Sequence, residues 1–381
     1  MQRCDDGFDS IPLRSNHVKI DEHHARLEGI EPKKHHRKLN PPCHKFKSIR
    51  CTSTMHLLQY RGVYVCLITL FTRPVLQQAL SLRAPNVCIQ SIPMLRSKYF
   101  NRFGFSAEEA ETLLTPSKVN LDKIMEAHLE RIPFENLSQH GLSMPATLDM
   151  KKTATKVLEM GRGGFCCELN GLFADFLTDL GYQVKRVPAF VHADGIGFRY
   201  PATHLLLVVS IPNDHAGEWI VDVSFGEPAI NSLRYELDTE QSTPEGMESR
   251  LVVDSADSNF VILEWKKDGQ WLPRLKWEYA HPGQPIEAFQ PGLDATLAET
   301  SIFHQKLIVC RITRTEKLTL AGSRLKRTLP RFGPDSTVTV IDLETPEAVT
   351  KALKEEFGIS NSEGLELFKS SQSKPEVWSQ L

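Results

Sequence analysis

With 381 residues, 41% of them hydrophobic and 24% charged, the chain has the composition of a globular protein large enough for two or three domains. A formal net charge of −2 excludes a general attraction to nucleic acid or to an anionic membrane. Eight cysteines with no Cys-x-x-Cys pair exclude a regular disulfide framework and a zinc site, so free thiols in a reducing, cytoplasmic setting are expected, with no metal.

The charge is unevenly spread. Residues 1–97 hold 15 Lys and Arg against 7 Asp and Glu, a net of +8, and the remainder is net −10. Residues 1–54 lack periodicity and are broken by Pro41-Pro42; they read as disordered. The apolar run Val63 to Phe71 is shorter than the roughly 20 residues a membrane span needs. It suits the core of a leader or targeting segment, above all if translation began at Met55. Residues 1–97 are therefore expected to be a disordered or leader extension.

The folded body is expected from about Lys98, and 98–182 reads as a helical subdomain. Leu121, Ile124, Met125, His128 and Leu129 recur at helical spacing, and Pro133 ends that helix. Thr147 to Met160 forms another. A third carries Leu169, Leu172, Phe173, Phe176, Leu177 and Leu180 on one apolar face and stops at Gly181. Gly161, Gly163 and Gly164 disfavour helix upstream, which places its first turn near Cys166. A thiol there meets unpaired N–H groups and the positive end of the dipole, conditions that favour a thiolate. Cys166 points along the apolar face, toward whatever packs on the helix. Cys167 lines up with Gly171, Ala174 and Thr178. Both also fit the pattern of ordinary buried cysteines.

Beyond Gly181 the period becomes that of strands, over Gln183 to His192, His204 to Ile211 and Trp219 to Phe225. Further strands are predicted at 250–254, 259–265, 306–313 and 336–342. The rest of 244–304, rich in Pro and Gly, reads as loop. Thr345 to Phe357 is a last helix with Pro346 in its first turn, and 361–381 reads as a loose tail. A hairpin folded about 212–218 brings His204 within a couple of positions of Asp222 in the middle of the partner strand, across or diagonally. An aspartate in an apolar strand demands a partner. Together with Cys166, this makes a Cys–His–Asp set: nucleophile, base and orienting carboxylate.

Several segments of the chain together resemble the arylamine N-acetyltransferases. They are Arg162-Gly163-Gly164-Phe165-Cys166 with Glu168 and Asn170, Ile132-Pro133-Phe134-Glu135-Asn136-Leu137, Thr203-His204-Leu205, and Val221-Asp222-Val223-Ser224-Phe225-Gly226. The resemblance covers about residues 98–360. It implies an α+β fold with a papain- and transglutaminase-like core. In that fold a helical first domain (98–182) is followed by a β-barrel (183–290) and an α/β lid (291–360). It implies a cysteine acyltransferase of xenobiotic metabolism that works by ping-pong: Cys166 takes an acetyl group from acetyl-CoA and passes it to an aromatic amine or hydrazine. Propionyl- or malonyl-CoA remain possible donors, and Phe134, Phe165 and Phe225 are candidates to grip a flat acceptor. The N–H groups of Phe165 and Cys167 are candidates for the oxyanion, and Glu135 and Arg162 for structural roles. Ser224 replaces a usual glycine and Cys167 a common aromatic. The rival readings are a transglutaminase-like or other thiol acyl hydrolase with the same three groups, and an inactive binding protein. No nucleic-acid partner or membrane insertion is expected; the oligomeric state is left open.

Overall fold

A computed structural model describes residues 56–60, 63–67, 92–362 and 364–365. The expectations for residues 1–54 and for most of the tail 361–381 lie outside them. Strands β1 (His56–Tyr60) and β2 (Val63–Leu67) pair antiparallel, from His56 with Leu67 to Tyr60 with Val63. They belong to a separate unit.

The main unit opens with three helices, α1 (Ile92–Phe103), α2 (Ala107–Thr112) and α3 (Lys118–Arg131). α1 starts upstream of the expected Lys98, and its Arg96 binds the Asp179 carboxylate and carbonyl. Ser106 and Glu109 form a reciprocal capping box on α2, and Ser117 caps α3 through the Asn120 N–H. The short strand β3 (Phe134–Glu135) follows. Helix α4 (Met150–Ala154) then widens into a π turn over 155–159, so the helix expected from Thr147 to Met160 is shorter and irregular. α5 (Cys166–Asp179) begins at the expected cysteine. Tyr99, Phe103, Phe173 and Phe176 pack in its core, with Tyr99 stacked on Phe176 at 4.2 Å.

Nine strands then make one sheet: β4 (Gln183–Ala193), β5 (Gly197–Phe198), β6 (His204–Ser210), β7 (Glu218–Val221), β8 (Leu233–Arg234), β9 (Gln241–Ser242), β10 (Glu248–Val253), β11 (Phe260–Lys267) and β12 (Gln270–Glu278). Their order is β8-β7-β6-β4-β12-β11-β10-β9, with β5 on β4. The chain after β8 curls back so that Leu237 bridges Leu251 of β10, which all but closes a barrel. β6 has core on both faces: Leu205, Leu207 and Val209 pack on the helices, while Leu206 and Val208 fill the barrel. That explains its unbroken apolar sequence.

After α6 (Gln290–Leu297) and α7 (Ile302–Gln305), strands β13 (Ile308–Ile312), β14 (Lys317–Ala321), β15 (Arg324–Leu329) and β16 (Thr337–Asp342) form a second sheet, with β3 on its far edge. α8 (Pro346–Phe357) buries Val349, Leu353 and Phe357 against it, capped by Thr345 and stopped by Gly358 at φ 70°. β12, β14 and β15 are strands that the sequence reading left as loop or unassigned. Among the described residues, no helix is long and apolar enough to cross a membrane.

Candidate active site

Two buried ion pairs hold the loop that delivers Cys166. Arg162 clamps Glu135 at 2.9 and 3.1 Å, and Glu135 also accepts the Leu137 N–H. Lys156 Nζ lies 2.8 and 2.9 Å from the two oxygens of Glu168. Burial pushes the Glu168 carboxyl upward, and Lys156 works against that. Glu168 Oε2 accepts the Phe165 N–H at 3.0 Å, which ties the residue before the nucleophile to the first turn of α5. The Phe165 N–H is therefore committed, leaving the Cys167 N–H of the original pair for an oxyanion. Gly163 is required by close approach: a Cβ there would sit 1.9 Å from the Pro133 carbonyl oxygen.

His204 begins β6, and Asp222 lies one residue beyond the end of β7, not in mid-strand as expected. The carboxylate ends the strand itself: Oδ1 accepts the N–H groups of Ser224 and Phe225 at 2.9 and 3.1 Å and turns the chain. Leu207 pairs with Val221, so Asp222 falls diagonally from His204. Asp222 Oδ2 takes His204 Nε2 at 2.6 Å, and both residues are buried. Nδ1 is then the ring nitrogen left for the thiol.

Cys166 lines the same pocket as His204, with its Sγ 3.3 Å from the Thr203 carbonyl oxygen. The Cys166 thiol is held well below its ordinary value, chiefly by a hydrogen bond from Cys167; burial opposes this, and the hydrogen bond and charge of His204 add to the lowering. The Cys167 thiol is pushed up by the same hydrogen bond and by burial. Burial alone would lower the His204 pKa, but the charge and hydrogen bond of Asp222, with Cys166, push it up to about 10. Burial works to raise Asp222, yet the His204 charge and its hydrogen bonds bring it below the usual carboxylate range. These directions all favour a thiolate–imidazolium pair facing a carboxylate.

The pocket has a volume of about 170 Å³. Phe134, Phe165 and Phe225 all line it. Phe303 joins them, 5.6 Å from Phe134 and 5.5 Å from Phe165 between ring centroids, and Phe225 lies 5.2 Å from the His204 ring. Arg199, Glu227 and Arg274 also line the pocket, with the Arg274 guanidinium 5.6 Å from the Phe225 ring. Leu263 pairs with Leu275 but Glu264 with Pro273, so Arg274 is the extra residue of a β-bulge. Its guanidinium stacks on Trp265 at 4.5 Å, and its Nε has no hydrogen-bond partner. Sequence reasoning missed Phe303, Arg274 and Lys156. Phe303 sits in the four-residue helix α7, too short to show a period, and Arg274 on an unread strand. Lys156 follows Lys151 and Lys152 in a polar stretch, so nothing local marks it as buried.

Residues 119–364 match the family model described as N-acetyltransferase. An arylamine N-acetyltransferase of Mycobacterium tuberculosis is 30% identical over 270 residues, covering 69% of this chain and 88% of the relative. The solved arylamine N-acetyltransferase of Salmonella typhimurium superposes with a TM-score of 0.61 at 27% identity, over 70% of this chain and 91% of that one. That of Mycobacterium marinum in complex with CoA gives 0.59 at 26% identity, over 69% and 92%. Helical domain and near-closed barrel define an α+β fold, and within it a thiol, an imidazole and a carboxylate are buried close together. The chain belongs to the arylamine N-acetyltransferase family.

Proposed function

We propose that this chain is an acetyl-CoA-dependent arylamine N-acetyltransferase that works through an acetyl thioester on Cys166. The observation that carries the residue roles is that Cys166 and His204 line one pocket while His204 Nε2 lies 2.6 Å from the buried Asp222 carboxylate. The thiolate attacks the acetyl carbonyl carbon of the donor. The developing oxyanion is met by the Cys167 N–H at the first turn of α5. The bond to the CoA sulfur breaks, and the leaving thiolate takes the proton from His204. In the second half-reaction the amine nitrogen attacks the acetyl carbon, His204 accepts its proton, and the Cys166 thiolate leaves. Asp222 stays ionised and keeps His204 in the tautomer that offers Nδ1 to the sulfur.

The pocket suits these substrates. Phe134, Phe165, Phe225 and Phe303 offer edges and faces to a flat acceptor. Arg274, with its unpartnered Nε, and Arg199 offer guanidinium donors to the anionic groups of the donor. The free, buried thiols of Cys166, Cys167 and Cys310 support a cytoplasmic setting. Initial rates with varied acetyl-CoA and 4-methoxyaniline test the reading. Parallel double-reciprocal lines are expected. Intersecting lines would overturn the ping-pong route, and release of CoA at a rate indifferent to the amine would favour a hydrolase.

A further inference from the structure

Asp222 uses only one oxygen for His204, and how the other is held bears on the whole triad. Oδ1 lies 2.9 Å from Asn170 Nδ2, 2.9 Å from Ser224 N, 3.1 Å from Phe225 N and 3.2 Å from Ser224 Oγ. Asn170 sits on α5, one turn after Cys166. Its amide carries two hydrogens but faces three oxygens: Leu205 O at 2.6 Å, Ser224 Oγ at 2.8 Å and Asp222 Oδ1 at 2.9 Å. A hydrogen donated to Ser224 Oγ leaves the hydroxyl one direction for its own, toward Asp222 Oδ1. Ser224 is 3% exposed, so solvent does not stand in for the hydroxyl.

We propose that Ser224 is a positioning residue of the triad: its hydroxyl, oriented by Asn170, donates to the Asp222 oxygen that His204 leaves unused and so widens the pH range over which Cys166 is a thiolate. The inference rests on the triad reading above. A donor to a carboxylate favours its charged form, a charged Asp222 favours imidazolium, and imidazolium favours thiolate. The titratable groups around the cluster are Cys166, Cys167 and Glu168 on α5, Glu227 on the loop after Asp222, and Cys310 on β13. Arg199 and Arg274 also line the pocket.

The test is the rate of iodoacetamide alkylation of Cys166 against pH, with the Cys166→Ala protein as the blank for the other thiols. The wild type is expected to hold its plateau well below the ordinary thiol pKa of about 8.5. Ser224→Ala and Ser224→Gly are both expected to move the acid limb up by about half to one pH unit, a roughly 2- to 5-fold slower reaction at the wild-type midpoint. Ser224→Thr, which keeps the hydroxyl, is expected to restore it. If Ser224→Ala, which keeps the Cβ, superimposes on the wild type while Ser224→Gly departs from it, the residue acts by packing and the inference falls. A wild type that titrates as an ordinary thiol would instead sink the triad reading itself.

Discussion

Replacing Lys156 by methionine keeps a similar stem and removes one charge of a fully buried pair. The Lys156 and Glu168 side chains are 2% and 0% exposed. Breaking such a pair costs about 3–5 kcal/mol, because the remaining charge is stranded. Glu168 has one escape, which is to take up a proton. With an unfolded-state pKa of about 4.3 and 1.36 kcal/mol per unit, that escape costs about 4 kcal/mol at pH 7.5 and under 2 kcal/mol at pH 5.5. In the variant the folded-state pKa of Glu168 is raised, so its stability is present at low pH and lost as pH rises. At about 2–4 °C per kcal/mol, the Tm deficit at pH 7.5 is roughly 8–16 °C and less than half that at pH 5.5. Scanning calorimetry at the two pH values, beside the double variant Lys156→Met/Glu168→Gln, measures it. Glutamine still accepts the Phe165 N–H without a charge, so the double variant should recover most of the loss. A deficit under 2 °C, or one equal at both pH values, would refute the reasoning.

Three further outcomes follow from particular contacts. Gly163→Ala should lower Tm by more than 10 °C and abolish Cys166 alkylation, since its Cβ would meet Pro133 O at 1.9 Å; Gly195→Ala, in open space at φ 73°, should cost only about 1 kcal/mol. His128 is buried with neither ring nitrogen bonded, and burial, helped by Arg102, lowers its pKa to about 3. Its depressed value means stability is lost as pH falls below about 6.5, so urea titrations should show His128→Phe gaining roughly 2–3 kcal/mol on the wild type between pH 7.5 and 4.5; a gap that does not change with pH contradicts this. Asp222→Asn should lower kcat/KM by about 10³- to 10⁴-fold with little change in Tm, because the shape is kept and the charge that holds His204 protonated is lost; a loss under 10-fold would mean the carboxylate is dispensable.

Much of this could be read from the chain because local chemistry and tertiary role coincide. Cys166 follows three glycines and opens an apolar helix, and that is where α5 starts. His204 and Asp222 sit on arms of one hairpin whose turn is obvious. The hairpin's detail was less legible: Asp222 reads as part of an alternating strand, yet its own carboxylate captures two N–H groups and ends that strand. β12 was hidden by Pro273 and the bulge at Arg274, which break the alternation that marks a strand. β14 and β15 were hidden by charge, since Lys317 pairs with Glu227 and Arg327 with Glu356. A buried lysine looks like a surface residue until its partner is known. Phe303 had no periodicity around it, so only the folded chain puts it beside Phe134 and Phe165.

The central claim is that Cys166 carries the acetyl group. Intact mass after mixing the protein with acetyl-CoA and no amine tests it most directly, beside a Cys166→Ala control. One acetyl group on the wild type alone, lost on adding an arylamine, is the predicted result. No adduct and no release of CoA, or an equal adduct on the alanine variant, would contradict it.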